Sequence, residues 1–154
     1  MDNIYITLAG KSAYAIVNSF WASLKIHEYE PDHVYIVTDE YTDNTDIIIE
    51  AIRGVLLAYG LDIDIDRVVI IPYDFQGCMN AIREILDLKS EDSIALDITS
   101  GRKYMATAAL LAGWERYDHV FFLQTERSRF RELPFLMRPL MYQYPADLKE
   151  EVSE

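Results

Sequence analysis

Two periods alternate along the chain: short β-branched or aromatic runs, and longer stretches whose apolar residues recur three and four apart. Ile4-Tyr5-Ile6-Thr7-Leu8 predicts a first strand, and Ile16, Val17, Phe20, Trp21 and Leu24 mark one face of the helix that follows. The turn between them reads Ala9-Gly10-Lys11-Ser12. Val34-Tyr35-Ile36-Val37-Thr38 predicts a second strand, followed by a polar loop from Asp39 to Asp46 and a helix from about Ile47 to Tyr59. Gly60 is placed to end that helix, because glycine takes the left-handed conformation without steric cost. Val68-Val69-Ile70-Ile71 predicts a third strand, Pro72 stops it, and a helix spans Met79 to Leu88. Ile94-Ala95-Leu96-Asp97-Ile98 predicts a fourth strand, Met105 to Ala112 a strongly apolar helix closed by Gly113, and Val120-Phe121-Phe122-Leu123 a fifth strand. Beyond Gln124 the pattern is broken by Arg127, Arg129, Arg131, Pro134 and Pro139, leaving room for a further strand near Leu140 to Tyr142.

Alternation of this kind signals βαβ units, and strands apolar at nearly every position suit a parallel sheet covered on both faces. The expected fold is α/β and Rossmann-like: a doubly wound, mostly parallel sheet with helices on both faces. A single domain is expected over residues 1–145, with 146–154 as an acidic, solvated C-terminal tail. Right-handed crossovers would set strands one and four side by side with their helices on opposite faces. The ligand crevice would then form at their carboxyl ends, with Gly10-Lys11-Ser12 opposite Thr99-Ser100-Gly101-Arg102-Lys103.

Composition narrows the function. The 154 residues carry a net charge of −12, which argues against a broad grip on duplex DNA or RNA, since such binding neutralises many phosphates. A local basic cluster can still hold a small anion. Cys78 is the only cysteine, so the sequence contains no internal disulfide and no cysteine-rich metal knot. The first residues, Met1-Asp2-Asn3, lead into a strand with no basic n-region and no long apolar segment; export and membrane insertion are not expected, and a reducing cytoplasm is.

The most informative segment is Leu96-Asp97-Ile98-Thr99-Ser100-Gly101-Arg102-Lys103-Tyr104-Met105, where a buried strand opens into small polar residues and enters a helix. Ser100 and Gly101 admit close approach of backbone N–H groups, the helix N-terminus adds partial positive charge, and Arg102 and Lys103 add formal charge. Asp97 can fix the turn by accepting from Thr99 or from backbone amides. The plainer alternative is that Thr99 and Ser100 only cap the helix. Gly10-Lys11-Ser12 is not a Walker A loop, because its first glycine would fall at Tyr5 inside the strand, and no dinucleotide glycine fingerprint occurs.

The run Asp97-Ile98-Thr99-Ser100-Gly101-Arg102-Lys103 resembles the Asp-x-Thr/Ser-Gly/Ser-Gly-x-Lys signature of the CRISPR-associated Rossmann fold (CARF) family, and the order of strands agrees with it over most of the chain. The resemblance implies a homodimer that binds a cyclic oligoadenylate second messenger of type III CRISPR immunity across its two-fold axis, cyclic tetra-adenylate or a close relative. Many such domains are fused to a nuclease or a DNA-binding module, and neither is expected within these 154 residues. The expectation is therefore a standalone ring nuclease, which cleaves the messenger without metal or other cofactor to ends carrying a 2′,3′-cyclic phosphate. By the same resemblance Lys103 is the motif lysine that stabilises charge on the phosphate. Ser12 is the nearest match to the family's small hydroxyl residue after strand one, and Lys11 replaces or supplements it. The turn here, Ala-Gly-Lys-Ser, departs from the family's. Ala9, Gly10, Lys11, Ser12, Asp97, Thr99, Ser100, Gly101, Arg102 and Lys103 form the expected ligand site. Two alternatives remain open at this point: a sensor that binds the messenger without cutting it, and an unrelated mononucleotide-binding protein.

Other conspicuous residues carry less. Asp39, Glu40, Asp43 and Asp46 suit either a hard cation or, as expected here, a solvated loop. His27, His33 and His119 lack metal spacing and are expected at surface or strand-edge positions. Tyr73, Phe75 and Gln76 follow strand three at the ligand edge, where they suit adenine contact or core packing equally. Arg127, Arg129 and Arg131 add charge near the site or pair with Glu126 and Glu132. Phe135, Leu136, Met137, Leu140 and Tyr142 are compatible with a dimer interface.

Overall fold

A computed structural model of the chain describes residues 1–39, 45–125 and 143–153. Six strands, β1 (Asn3–Leu8), β2 (His33–Asp39), β3 (Asp64–Ile70), β4 (Ser93–Asp97), β5 (His119–Thr125) and β6 (Gln143–Asp147), form one sheet in the order β3-β2-β1-β4-β5-β6. All neighbouring pairs are parallel except β5 and β6. The helices are α1 (Ala13–Lys25), α2 (Thr45–Ala58), α3 (Phe75–Leu88), α4 (Lys103–Gly113) and α5 (Leu148–Val152).

The fold is the expected α/β one, and its centre explains why. β1 is sealed on both sides, with every residue from Ile4 to Leu8 buried. Ile4, Ile6 and Leu8 join Ile82 and Met105 in one core beneath α3 and α4. Tyr5 points the other way, to Phe20, Ile48 and Ile52 beneath α1 and α2. The period-two alternation of a strand thus feeds two cores at once, and a strand of mainly apolar residues on both faces satisfies it. β1 also lies beside β4, with Thr7 opposite Asp97, so the helices that follow these two strands leave toward opposite faces.

Three departures from the sequence reading have physical causes. β3 begins at Asp64, four residues before the apolar run, because its backbone pairs with β2 from His33 onward whatever its side chains are. As the outermost strand it leaves Asp64, Asp66 and Arg67 in solvent and exposes Val69 by 53%, so the inference that each apolar strand is covered on both faces fails here. α3 begins at Phe75 rather than Met79, since Asp74 caps it by accepting from the Gly77 N–H at 2.9 Å.

The third departure is the C-terminus. The stretch read as a solvated tail, 146–154, completes β6 and forms α5 within the described residues. Asp147 is buried; its carboxylate accepts from the Val120 N–H at 3.0 Å and the Lys149 N–H at 3.1 Å, and meets His119 Nδ1 at 2.7 Å. Lys149 Nζ donates to the Trp114 carbonyl at 2.9 Å and lies over its ring. One buried carboxylate therefore docks the acidic end onto β5. The strand placed near Leu140 to Tyr142 falls outside the described residues; β6 starts at Gln143.

Candidate functional site

The turns after β1 and β4 meet at the carboxyl edge of the sheet. The Gly10 N–H donates to Ser100 Oγ at 3.2 Å. A Cβ on Gly10 would lie 2.7 Å from the Gly101 nitrogen, and one on Gly101 would lie 2.7 Å from Leu8 Cβ. Gly101 also has φ 90°, in the left-handed region that favours glycine. Gly10 therefore lets backbone approach backbone, while Gly101 is required by its positive φ and by the Leu8 side chain beside it.

Asp97 organises the second turn. It is fully buried, and Oδ1 accepts the Thr99 N–H at 2.9 Å while Oδ2 accepts the Tyr5 hydroxyl. Burial, and next the charge of Asp97, push the Tyr5 hydroxyl pKa well above its ordinary value, so Tyr5 is a permanent donor. Thr99 Oγ1 accepts the Leu123 N–H at 2.9 Å, tying the turn to β5.

Thr99 and Ser100 are thus engaged by β5 and by Gly10, and neither caps α4. The N-cap residue is Arg102, with extended backbone and no side-chain cap hydrogen bond. A helix that starts this way turns its first N–H groups toward the edge of the sheet without a side-chain cap, an arrangement suited to an anion. Arg102 Nε donates to Asp39 Oδ2 at 2.7 Å, and its guanidinium lies 5.5 Å from the centre of the Tyr73 ring. That hydrogen bond is the main cause that raises the Arg102 pKa. The Tyr104 hydroxyl also reaches Asp39 Oδ2, at 3.4 Å. Burial raises the Tyr104 pKa, while the Tyr73 backbone N–H acts in the opposite direction.

Lys103 is exposed in the first turn of α4. Lys11 is exposed too, and Ser12 caps α1 by accepting the Ala15 N–H at 3.3 Å. Lys11, Ser12, Ala13, Tyr14 and Ile47 line an open concavity of about 380 Å³. The structure therefore gathers Ala9 to Ser12 and Asp97 to Lys103 at one edge.

Asp39 was expected in a solvated loop; instead it is the last residue of β2, wholly buried, and holds Arg102 across 63 positions of sequence. Asp46 is exposed at the start of α2, while Glu40 and Asp43 lie outside the described residues. No cluster of three metal-ligating side chains occurs among the described residues. His33 pairs with Asp66 and His119 with Asp147, while His27 and His119 both stack on Phe121, at 4.4 and 5.5 Å. Tyr73 is 69% exposed rather than packed in the core, Phe75 is exposed, and Gln76 donates to Asn80 at 3.0 Å. Arg127, Arg129, Arg131 and the apolar residues Phe135, Leu136, Met137, Leu140 and Tyr142 lie outside the described residues. Among the described residues no helix is long and apolar enough to cross a membrane.

No protein-family model matches the sequence, and no curated protein matches it. Solved structures do resemble the fold. Can2 from Sulfobacillus thermosulfidooxidans, in complex with cyclic tetra-adenylate, superposes with TM-score 0.58 at 18% identity over 78% of this chain. Protein VC1899 from Vibrio cholerae gives TM-score 0.58 at 17% identity over 78%. Enterococcus italicus Csm6, bound to cyclic hexa-2′-fluoro-hexa-dAMP, gives TM-score 0.59 at 14% identity over 99%. The chain spans 31%, 30% and 43% of the lengths of these proteins. The Rossmann-like fold implied by the CARF resemblance is the fold the chain has.

Proposed function

We propose that this chain is a CARF domain that binds a cyclic oligoadenylate, with cyclic tetra-adenylate as the leading candidate, across a homodimer and cleaves it. The observation that carries the reading is the junction of the two turns through Gly10, Ser100 and Gly101 beside an α4 N-terminus that has no side-chain cap. The kinship in fold with proteins solved on cyclic tetra-adenylate and on a cyclic hexanucleotide supports it. A phosphate set against the first amides of α4 would also face Lys103 and Arg102, and a two-fold arrangement would present two such edges to one ring.

Cleavage needs little beyond geometry. RNA carries a 2′-hydroxyl beside each phosphodiester, and holding that oxygen in line with the scissile bond supplies rate by orientation. The 2′-oxygen bonds to phosphorus, the P–O5′ bond breaks, the 2′-hydroxyl loses a proton and the departing 5′-oxygen gains one. Lys103 and the amides of Ser100 and Gly101 would stabilise the charge that grows on the phosphate oxygens. Ser12 and Lys11 lie on the opposite lip, where they would steer the ribose or a neighbouring phosphate.

A second reading, binding without cleavage, draws on one observation: the Ser12 hydroxyl accepts from the Ala15 N–H as the cap of α1. The deciding experiment incubates the protein with cyclic tetra- and hexa-adenylate in EDTA, beside Lys103→Ala, and resolves products by mass spectrometry. Linear products with 2′,3′-cyclic phosphate, lost in the variant, are expected. Tight binding of an uncut ring would establish the sensor, and no binding would favour an unrelated nucleotide site.

A further inference from the structure

Beside the turn that would take phosphate, three flat side chains come together at the carboxyl edge. Tyr73 follows β3; its ring centre lies 5.8 Å from that of Tyr104 and 5.5 Å from the Arg102 guanidinium. Both partners are fixed from below by one fully buried carboxylate, since Arg102 Nε and the Tyr104 hydroxyl reach the same Asp39 oxygen, at 2.7 and 3.4 Å. Tyr73 itself is 69% exposed, so its ring is held by neighbours yet not consumed by the core.

Its backbone has φ 62°, a conformation unfavourable for a side chain of this size. Its contacts with Tyr104 and Arg102 leave most of the ring exposed, and a glycine would suit the backbone better. The platform is also contiguous with the anion site: Arg102 is the N-cap of α4 and Tyr104 lies in its first turn. An occupant that reaches both therefore has a phosphate joined to a flat ring.

We infer that Tyr73, Tyr104 and Arg102 form a base-stacking subsite, anchored by Asp39, that takes an adenine of the nucleotide whose phosphate sits at the start of α4. The inference rests on the cyclic-oligoadenylate reading and deepens it. Stacking contributes affinity with little discrimination between bases, because every base has a π-face, and the cation in the platform adds to it. Tyr73 thus sets how tightly the ring is held, and other contacts choose adenine.

The test titrates cyclic tetra- and hexa-adenylate into the full chain carrying Tyr73, Tyr73→Phe, Tyr73→Ala or Tyr73→Gly. It then repeats the binding with a tetra-adenylate ring in which one adenine is replaced by 2-aminopurine. Alanine and glycine are expected to weaken binding by about tenfold to a hundredfold, and phenylalanine by less than about threefold. The 2-aminopurine fluorescence should be quenched on the parent and Tyr73→Phe proteins and recover at saturation on the other two. Glycine should meanwhile keep or raise the thermal midpoint, separating lost stacking from lost folding. A parent protein that binds with Tyr73→Ala equal to it in affinity and quenching would overturn the subsite alone. A parent protein that binds neither ring would overturn the underlying reading and the subsite with it.

Discussion

A carboxylate buried as fully as Asp97 is tolerable only with donors on its oxygens, and its two donors come from different strands: the Thr99 N–H beyond β4 and the Tyr5 hydroxyl of β1. Tyr5→Phe leaves one oxygen without its donor, a loss of about 1–3 kcal/mol. Calorimetry should show a fall in thermal midpoint of about 2–4 °C for each kcal/mol in a chain of this size. Gly10→Ala acts differently, because its Cβ would meet the Gly101 backbone nitrogen as well as Ser100 Oγ. Its expected effect is a loss of ring binding exceeding about tenfold, the scale of 1.4 kcal/mol, with the melt changed far less than the affinity. A titration showing parent affinity for Gly10→Ala would refute the need for contact between the turns. Cys78 gives a control of another kind. Burial, chiefly, pushes its thiol up to about 11, so a thiol reagent at pH 8 should leave the native protein unlabelled and react on unfolding.

At the scale of elements, two attachments set how the sheet holds its ends. His27, just beyond α1, stacks on Phe121 of β5, and burial lowers its pKa although Asp147 and Glu150 act the other way. A histidine whose folded pKa lies below its unfolded value of about 6.5 binds protons more readily when unfolded, so stability falls as pH drops from about 6.5 toward the folded pKa. Chemical denaturation between pH 7 and pH 5 should show that loss, and His27→Phe should flatten it. Asp147→Ala removes the acceptor of the Val120 N–H and of the α5 cap together, and is expected to cost about 1–3 kcal/mol by denaturant midpoint.

These elements also mark what the sequence could disclose. β1, β2 and β4 were legible because a central strand is buried on both faces and so mainly apolar, as Ile4 to Leu8 are apart from Thr7. The start of β3 was not, because an edge strand answers to backbone pairing and leaves Asp64, Asp66 and Arg67 to solvent. The two turns that meet at the carboxyl edge could be read from Gly10 and from Asp97 to Lys103. The grip of Asp39 on Arg102 could not, because it joins residues that only the strand order makes neighbours.

For the molecule as a whole, charge and shape bear on each other. The chain carries a net charge of −12 and has Lys11, Arg102 and Lys103 at one edge, so under the proposed reading a small anion would be admitted where a long polyanion would be repelled. A duplex DNA of random sequence should show no shift in a gel at physiological salt, whereas a cyclic oligoadenylate should. The strand order has a further consequence for how copies meet. Among the described residues the sheet ends at β3 on one side and β6 on the other; β3 presents Asp64, Asp66 and Arg67, and β6 includes Pro145, which has no N–H to donate. Margins of this character discourage the addition of a foreign strand and protect crowded chains from stacking into fibres. The self-association proposed above would then fall to loops and helices, and not to an open margin that could extend without limit.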